Sequence, residues 1–187
     1  MDFSWKRIEH KWRRELLSHA QGHVLEVGVG TGDNFKHYRP GSRITATDGS
    51  SRIIEQAKKV AFLNDVKPDF IVSPIEELEL KEHSFDTIVS TFSLSAYENP
   101  VEVLNRFSRW CKPGGLILLL EYGLSKCGIV NWVQQKWEPF YHNKTGTHIN
   151  RDMIAIISNS KFRIKRVEIK YAGIVYLVWA SLITQVK

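Results

Sequence analysis

The chain has 187 residues, 43% hydrophobic and 25% charged, an ordinary balance for a single soluble globular domain with a sizeable core. No stretch is long and apolar enough to span a bilayer; the longest, residues 173–183, is short and rich in Val, Ile, Tyr and Trp and reads as a buried strand. Cys111 and Cys127 are too few for a disulfide framework and the N-terminus lacks the apolar core of a secretory signal, so a reducing cytoplasm is the expected setting.

The net charge of +6 gathers largely in two clusters, Lys6, Lys11 and their Arg neighbours at 7, 13 and 14, and Lys161, Arg163, Lys165, Arg166 and Lys170. Such charge suits nucleic acid, an anionic membrane surface or an acidic substrate, or forms a solvated basic face.

The first expected element is a basic, aromatic helix within residues 1–20. Phe3, Trp5, Ile8, Trp12 and Leu16 fall near one helical face, with Lys6, Arg7, Lys11, Arg13 and Arg14 around the rest. Tryptophans with basic flanks suit an interfacial helix making peripheral contact with anionic lipid, or a lid that excludes water from a site. The plain alternative is a helix packed on a sheet. A strand follows over 23–28, then a helix-compatible run from Asp33 to Tyr38 that Pro40 ends.

A second strand over 43–47 ends at Asp48, and a helix is expected over 51–63 with Ile53, Ile54, Ala57, Val60 and Ala61 on one face. Strands at 69–72 and 85–91 precede a helix over 99–110, where Val101, Leu104, Phe107 and Trp110 recur at helical spacing. Lys112-Pro113-Gly114-Gly115 forms a tight turn into a fifth strand, LILLLE. In the tail, residues 129–141 are expected to be helical up to Pro139, 142–149 to form a polar loop, and Asn150 to cap a helix over 151–159. Two last strands, 162–170 and 174–182, join at Gly173 too closely for a crossover helix, so they can pair antiparallel. The alternation implies an α/β fold, a seven-stranded, mostly parallel sheet with helices on both faces.

The informative stretch is VLEVGVGTG at 24–32, where an apolar strand carrying Glu26 runs into Gly28, Gly30 and Gly32. Glycines at a strand end let backbone approach a ligand closely. A dinucleotide fingerprint G-x-G-x-x-G/A needs a small residue at position 33, which is Asp33, and a P-loop needs a lysine that is absent. What remains, E-x-G-x-G-x-G, places an acid at the strand end where it can meet an ammonium group. That suits S-adenosylmethionine, whose methionine end carries an ammonium, a carboxylate and a sulfonium. Asp48 lies twenty positions after Gly28 at the end of the second strand, where a carboxylate accepts from ribose hydroxyls. Ser73-Pro74-Ile75-Glu76 follows the third strand, where an adenine ring would lie against the Ile75 backbone. Thr91, Phe92 and Ser93 leave the fourth strand and Glu121 and Tyr122 the fifth, all at the edge where ligands bind in such sheets.

In this order, VLEVGVGTG, TATDGS, SPIEELEL, SFDTIVSTFSLS and WCKPGGLILLLEYG, the chain resembles a class I S-adenosylmethionine-dependent methyltransferase over about residues 20–125, with a Rossmann-like fold. Within that class it is similar to the small-molecule branch acting on thiols, quinones and phospholipid head groups, and TGTHINRD at 145–152 resembles a stretch before that branch's last helix.

The resemblance implies one methyltransferase domain over 1–187, with 123–150 as a substrate-side insertion. It implies that Glu26, Gly28 and Gly30 hold the methionine end, that Asp48 and Gly49 meet the ribose, that Ile75 and Glu76 flank adenine, and that Thr91 and Phe92 line the methyl donor. The position before Ile75, usually acidic in the family, is Pro74, so Glu76, a backbone carbonyl or packing alone must serve the adenine amino group. The product would be S-adenosylhomocysteine, and no metal ligands are expected.

Displacement at a sulfonium methyl needs little beyond positioning, and a thiol with a pKa of about 8.5 needs only modest help to ionise. Candidate helpers are His148, Tyr122, Tyr141 and His142. Thr91-Phe92-Ser93-Leu94 lacks the N/D-P-P-Y/F pattern of adenine amine methyltransferases, and neither cysteine sits as a cytosine C5 nucleophile would. With no separate nucleic-acid-binding module, an RNA methyltransferase and a non-catalytic S-adenosylmethionine-binding protein rank as alternatives behind a small-molecule enzyme.

Overall fold

The computed structural model describes residues 3–183, with side chains from residue 5 onward, so the expected contribution of Phe3 to an apolar face lies outside the described side chains. Seven strands, β1 (His23–Val27), β2 (Arg43–Asp48), β3 (Asp69–Val72), β4 (Phe85–Thr91), β5 (Cys111–Tyr122), β6 (Phe162–Lys170) and β7 (Val175–Leu182), form one sheet in the order β3-β2-β1-β4-β5-β7-β6. β1 to β5 are mutually parallel, and β7 is antiparallel to both β5 and β6. The parallel strands read as nearly continuous apolar runs because both faces are covered.

On one face α1 (Phe3–Leu17) and α2 (Ser51–Leu63) pack Trp12, Leu16, Leu17, Ile54 and Ala57 against Val24, Ile44, Leu118 and Trp179. On the other, α3 (Pro100–Trp110) and α5 (Met153–Ser158) pack Leu104, Phe107, Met153 and Ile157 against Leu25, Ile88 and Ile117. Local caps set these helices: Ser50 Oγ accepts from Ile53 N–H at 3.4 Å, and Asn99 Oδ1 from Glu102 N–H at 3.2 Å with Pro100 in the first turn. α4 (Gly128–Thr145) lies outside both layers.

The structure departs from the sequence expectations at several places. No helix follows the glycine loop, only a 3-10 turn over Phe35–His37, because buried Phe35 and Tyr38 point into the core and Pro40 follows within five residues. α1 covers that part of the sheet instead. Among its described side chains Trp12 and Leu16 pack inward, as in the sheet-packed reading, with Trp5 edge-on to Trp12 at 5.6 Å and to Tyr171 at 4.8 Å, while Ile8 stays exposed.

The helix of the tail does not stop at Pro139. Gln134 and Glu138 hydrogen-bond the following loop on its N-terminal side, and Gly146, at φ +71°, closes its end by donating to His142 O at 2.7 Å, so tertiary bonds offset the one that proline removes. Residues 142–145 are therefore helical. The cap of α5 is Asp152, whose Oδ1 accepts from Ala155 N–H at 3.0 Å, rather than Asn150. β5 begins at Cys111 opposite Phe85, and the Lys112–Gly115 turn is looped out before pairing resumes at Thr87 and Leu116.

The C-terminal basic cluster is partly neutralised. Arg166 pairs with Glu168 and with Glu15 at 3.5 Å and stacks over Trp179 at 4.5 Å, and Lys170 pairs with Glu168 at 2.5 Å.

Candidate functional site

Strand order reverses between β1 and β4, and loops leaving their carboxyl ends diverge there into a cleft. At Gly28, φ is +67° and a Cβ would stand 2.5 Å from Ser93 Cβ, so only glycine lets the two loops meet. Gly30, at φ +55°, faces open space: a Cβ there would meet no protein atom within 4 Å. The loop is fastened to β2, with Val29 N–H donating to Thr47 O at 2.9 Å and Gly30 N–H to Asp48 Oδ2 at 3.1 Å. Ser50 N–H donates to Asp48 Oδ1 at 3.0 Å.

Above this loop is a cavity of about 410 Å³ whose walls include Arg13, Gly28, Gly30, Thr91 and Phe92. A second cavity of about 230 Å³ is walled by Ser73, Pro74, Ile75 and Glu76. Gly28, Asp48, Gly49 and Tyr97 line both. The expected ribose, adenine and donor-lining positions are thus gathered around two adjoining spaces with Asp48 between them. Tyr97 was not singled out in the sequence; its position, six residues beyond Thr91 and past the 3-10 turn Leu94–Ala96, carries no local signal.

Glu26 is placed differently. It lies beneath the cavity floor, fully buried, with Oε1 accepting from Asn34 Nδ2 at 2.9 Å and Oε2 from Tyr38 O–H at 2.8 Å. Burial pushes its carboxyl up to about 7, against the lowering effect of those two bonds and of Arg13. Asn34 carries the connection outward: its Oδ1 accepts from Arg13 at 2.7 Å and its Nδ2 also reaches Thr91 Oγ1 at 3.1 Å.

Arg13, one of the N-terminal bases for which a solvated face was one of the readings, is buried. It donates to Asn34, to Thr91 Oγ1 at 2.8 Å, and through Nε and Nη2 to Glu9 Oε1 at 2.8 and 2.5 Å, with its guanidinium 5.4 Å from the Phe92 ring centre. The i,i+4 spacing of Glu9 and Arg13 was the available clue.

The other wall hangs on Glu121. Its fully buried carboxylate accepts from Ser90 Oγ at 2.9 Å, from Ser93 and Leu94 N–H at 3.1 and 2.9 Å, and from Ser95 N–H and Oγ at 3.3 and 3.1 Å. Burial raises its pKa against these bonds. So anchored, the loop holds Phe92 at φ +54°, a left-handed conformation that costs a non-glycine residue about 1 kcal/mol or more. The Phe92 ring packs on Tyr122 at 4.6 Å, and Tyr122 meets Tyr141 of α4 edge-on at 6.4 Å.

Of the proposed helpers, Tyr122 thus stands directly behind Phe92, with its phenol pushed up by burial, and Tyr141 one ring further out. His142 and His148 stack on each other at 4.0 Å, and His148 Nδ1 lies 2.6 Å from Glu138 Oε1. His148 N–H donates to Ser95 O at 3.0 Å, tying this group to the same loop. No metal ligands were expected, yet Glu138, His142 and His148 bring one ligand atom each within 4.8 Å of one another; the signal was split across a helix end, four and then six residues apart. None of these four helpers lines the 410 Å³ cavity.

The spaces fit S-adenosylmethionine. Gly30 leaves open room that a side chain would occupy, and Asp48 stands where the two halves of an elongated nucleoside ligand would join.

A family model described as "Methyltransferase domain" matches residues 25–119. The chain is 30% identical to the yeast protein "Methyltransferase OMS1, mitochondrial" (Saccharomyces cerevisiae) over 91% of this chain and 40% of that protein, so it spans two fifths of it. It is 30% identical to human thiol S-methyltransferase TMT1B over 84% of this chain and 69% of the relative. It is 28% identical to phosphatidylethanolamine N-methyltransferase of Cereibacter sphaeroides over 79% and 74%. In fold it is similar to the PH0226 protein of Pyrococcus horikoshii, with a TM-score of 0.73 at 16% identity, covering 97% of this chain and 92% of that one.

Proposed function

The chain belongs to the methyltransferase-domain family, for which S-adenosyl-L-methionine is the methyl donor, and we propose that it transfers that methyl to a small, apolar acceptor: a thiol, a quinone or a phospholipid head group. The observation that carries this reading is the pair of adjoining cavities with Asp48 on their common wall. Each Asp48 oxygen accepts one backbone N–H and retains a lone pair for a ribose hydroxyl. Gly49 lines the wall beside it, and Ile75 and Glu76 flank the adenine space. Gly28 and Gly30 bring backbone to the methionine end. Arg13 uses four of its five N–H groups internally and keeps one for the methionine carboxylate. Glu26 acts through Asn34, fixing the amide that orients both Arg13 and Thr91.

Bound there, the cofactor supplies an activated methyl, so the protein's share is to hold donor and acceptor in line and exclude water. Thr91 and Phe92 line the donor side. Phe92, Tyr122 and Tyr141 form an aromatic path from α4 to the cavity, which suits an apolar acceptor. Where the nucleophile arrives protonated, His148 is the helper with a carboxylate behind it, Glu138 holding its Nδ1. In this reading residues 1–187 work as one domain and 123–150 supply the acceptor side.

A radiolabelled methyl donor assay over thiols, quinones, phospholipids and RNA tests the reading. Label should enter an organic-extractable small acceptor; label entering RNA alone would overturn it.

A further inference from the structure

The amphipathic order of α4 is inverted. The side turned to the protein is polar: Gln134 is buried, donating to Gly123 O at 2.9 Å and Ile149 O at 2.7 Å while accepting from Ser125 N–H at 2.8 Å, and Glu138 holds His148 and Ile149 N–H. The side turned away carries Ile129, Trp132, Val133, Trp137 and Phe140, which are 79, 64, 42, 61 and 63% exposed. At about 100° per residue these five share one arc of the helix with Lys136. Isolated exposed apolar residues need no explanation, but a contiguous aromatic stripe marks a surface that something covers.

Charge says what covers it. Glu138 is the one carboxylate on α4, and it is turned inward and engaged. Exposed Lys136 lies within the stripe, and exposed Lys126 and Lys144 flank it along the chain. Two tryptophans and a phenylalanine among lysines, with the acid withdrawn, match the boundary of a bilayer bearing anionic head groups: the rings prefer the region between water and hydrocarbon, and the lysines meet the negative surface. Among the described residues no helix is long and apolar enough to cross a membrane, and with its apolar groups confined to one side α4 would lie along the surface.

We propose that α4 docks this protein on anionic membrane surfaces through the stripe from Ile129 to Phe140. Docked this way, Tyr141 on the flank of α4 and Tyr122 behind it set the acceptor side of the cavity against the lipid. The docking stands independently of which acceptor is methylated.

The test is flotation of the untagged full chain with vesicles of phosphatidylcholine alone and of phosphatidylcholine with about one third phosphatidylglycerol. The chain should float with the anionic vesicles, less so at high salt, and Trp132→Ser/Trp137→Ser/Phe140→Ser should reduce the partition at least about tenfold. These positions are exposed, so the triple variant should keep the wild-type circular dichroism and S-adenosylhomocysteine affinity, and Lys6→Gln/Lys11→Gln on α1 should float like wild type. Failure of the wild-type chain to float, or undiminished flotation of the folded triple variant, overturns the proposal. So does wild-type self-association in sedimentation velocity that the triple variant abolishes, which would make a second copy the occupant.

Discussion

α1 and α4 each carry two tryptophans amid lysines, yet they use these residues in opposite ways. Trp12 of α1 is 7% exposed and packs with Leu16 and Leu17 on the sheet, whereas Trp132 and Trp137 of α4 face away from the protein. Arg13 of α1 is drawn inside among Glu9, Asn34 and Thr91; Lys136 and Lys144 of α4 stay in solvent. The same residue types serve as core and site on one helix and as a docking face on the other. What decides is whether the polar or the apolar arc is turned to the rest of the protein, and spacing alone does not say.

The contrast can be broken by substitution. The largest effect should come from Trp12→Ala, which empties a packed ring site and should cost about 3–5 kcal/mol in urea unfolding, while Trp132→Ala should stay within about 0.5 kcal/mol. Equal losses would mean that the two helices pack alike. Next is the group to which Arg13 leads through Asn34. Burial lifts the Glu26 carboxyl to about 7, so between about 4.5 and 7 the folded protein holds a proton that the unfolded chain has released. Stability contributed by that proton is complete below the lower value and is lost as pH rises through the upper one, on the order of 3 kcal/mol across the window. Glu26→Gln should flatten this part of the stability–pH curve; an unchanged slope would place the carboxyl outside the buried network.

Arg13→Ala should cost about 1–3 kcal/mol of stability by leaving Asn34 and Thr91 without their donor, and should also weaken S-adenosylhomocysteine. Lys11→Ala, two residues away on the opposite side of α1 and exposed, should change neither by more than about 0.5 kcal/mol. If the two variants behaved alike, the internal role of Arg13 would be wrong.

Much of the sheet was legible because its rules are local. Buried parallel strands announce themselves as apolar and β-branched runs, and β1, β2 and β4 fall where those runs lie; Asn99-Pro100 marks a helix start through its cap. The positions around the cleft were legible for the same reason, since Gly28, Gly30 and Asp48 need particular backbone or a strand end. What escaped depends on contacts between distant segments. Arg13 reads as one more surface base until Asn34 and Thr91, 21 and 78 residues away, close on it. Pro139 reads as a stop until the bonds of Gln134 and Glu138 before it and of Gly146 to His142 after it hold the helix. Glu26 reads as a direct ligand contact until Asn34 and Tyr38, eight and twelve residues on, fold over it.

The proposed nucleoside site depends on Asp48 joining the two cavities, and titration calorimetry with S-adenosylhomocysteine tests this most directly. One equivalent should bind the wild-type chain with measurable heat, and Asp48→Ala should weaken that binding by about 1–3 kcal/mol. No heat with the wild-type chain, or an affinity untouched by the substitution, would contradict it.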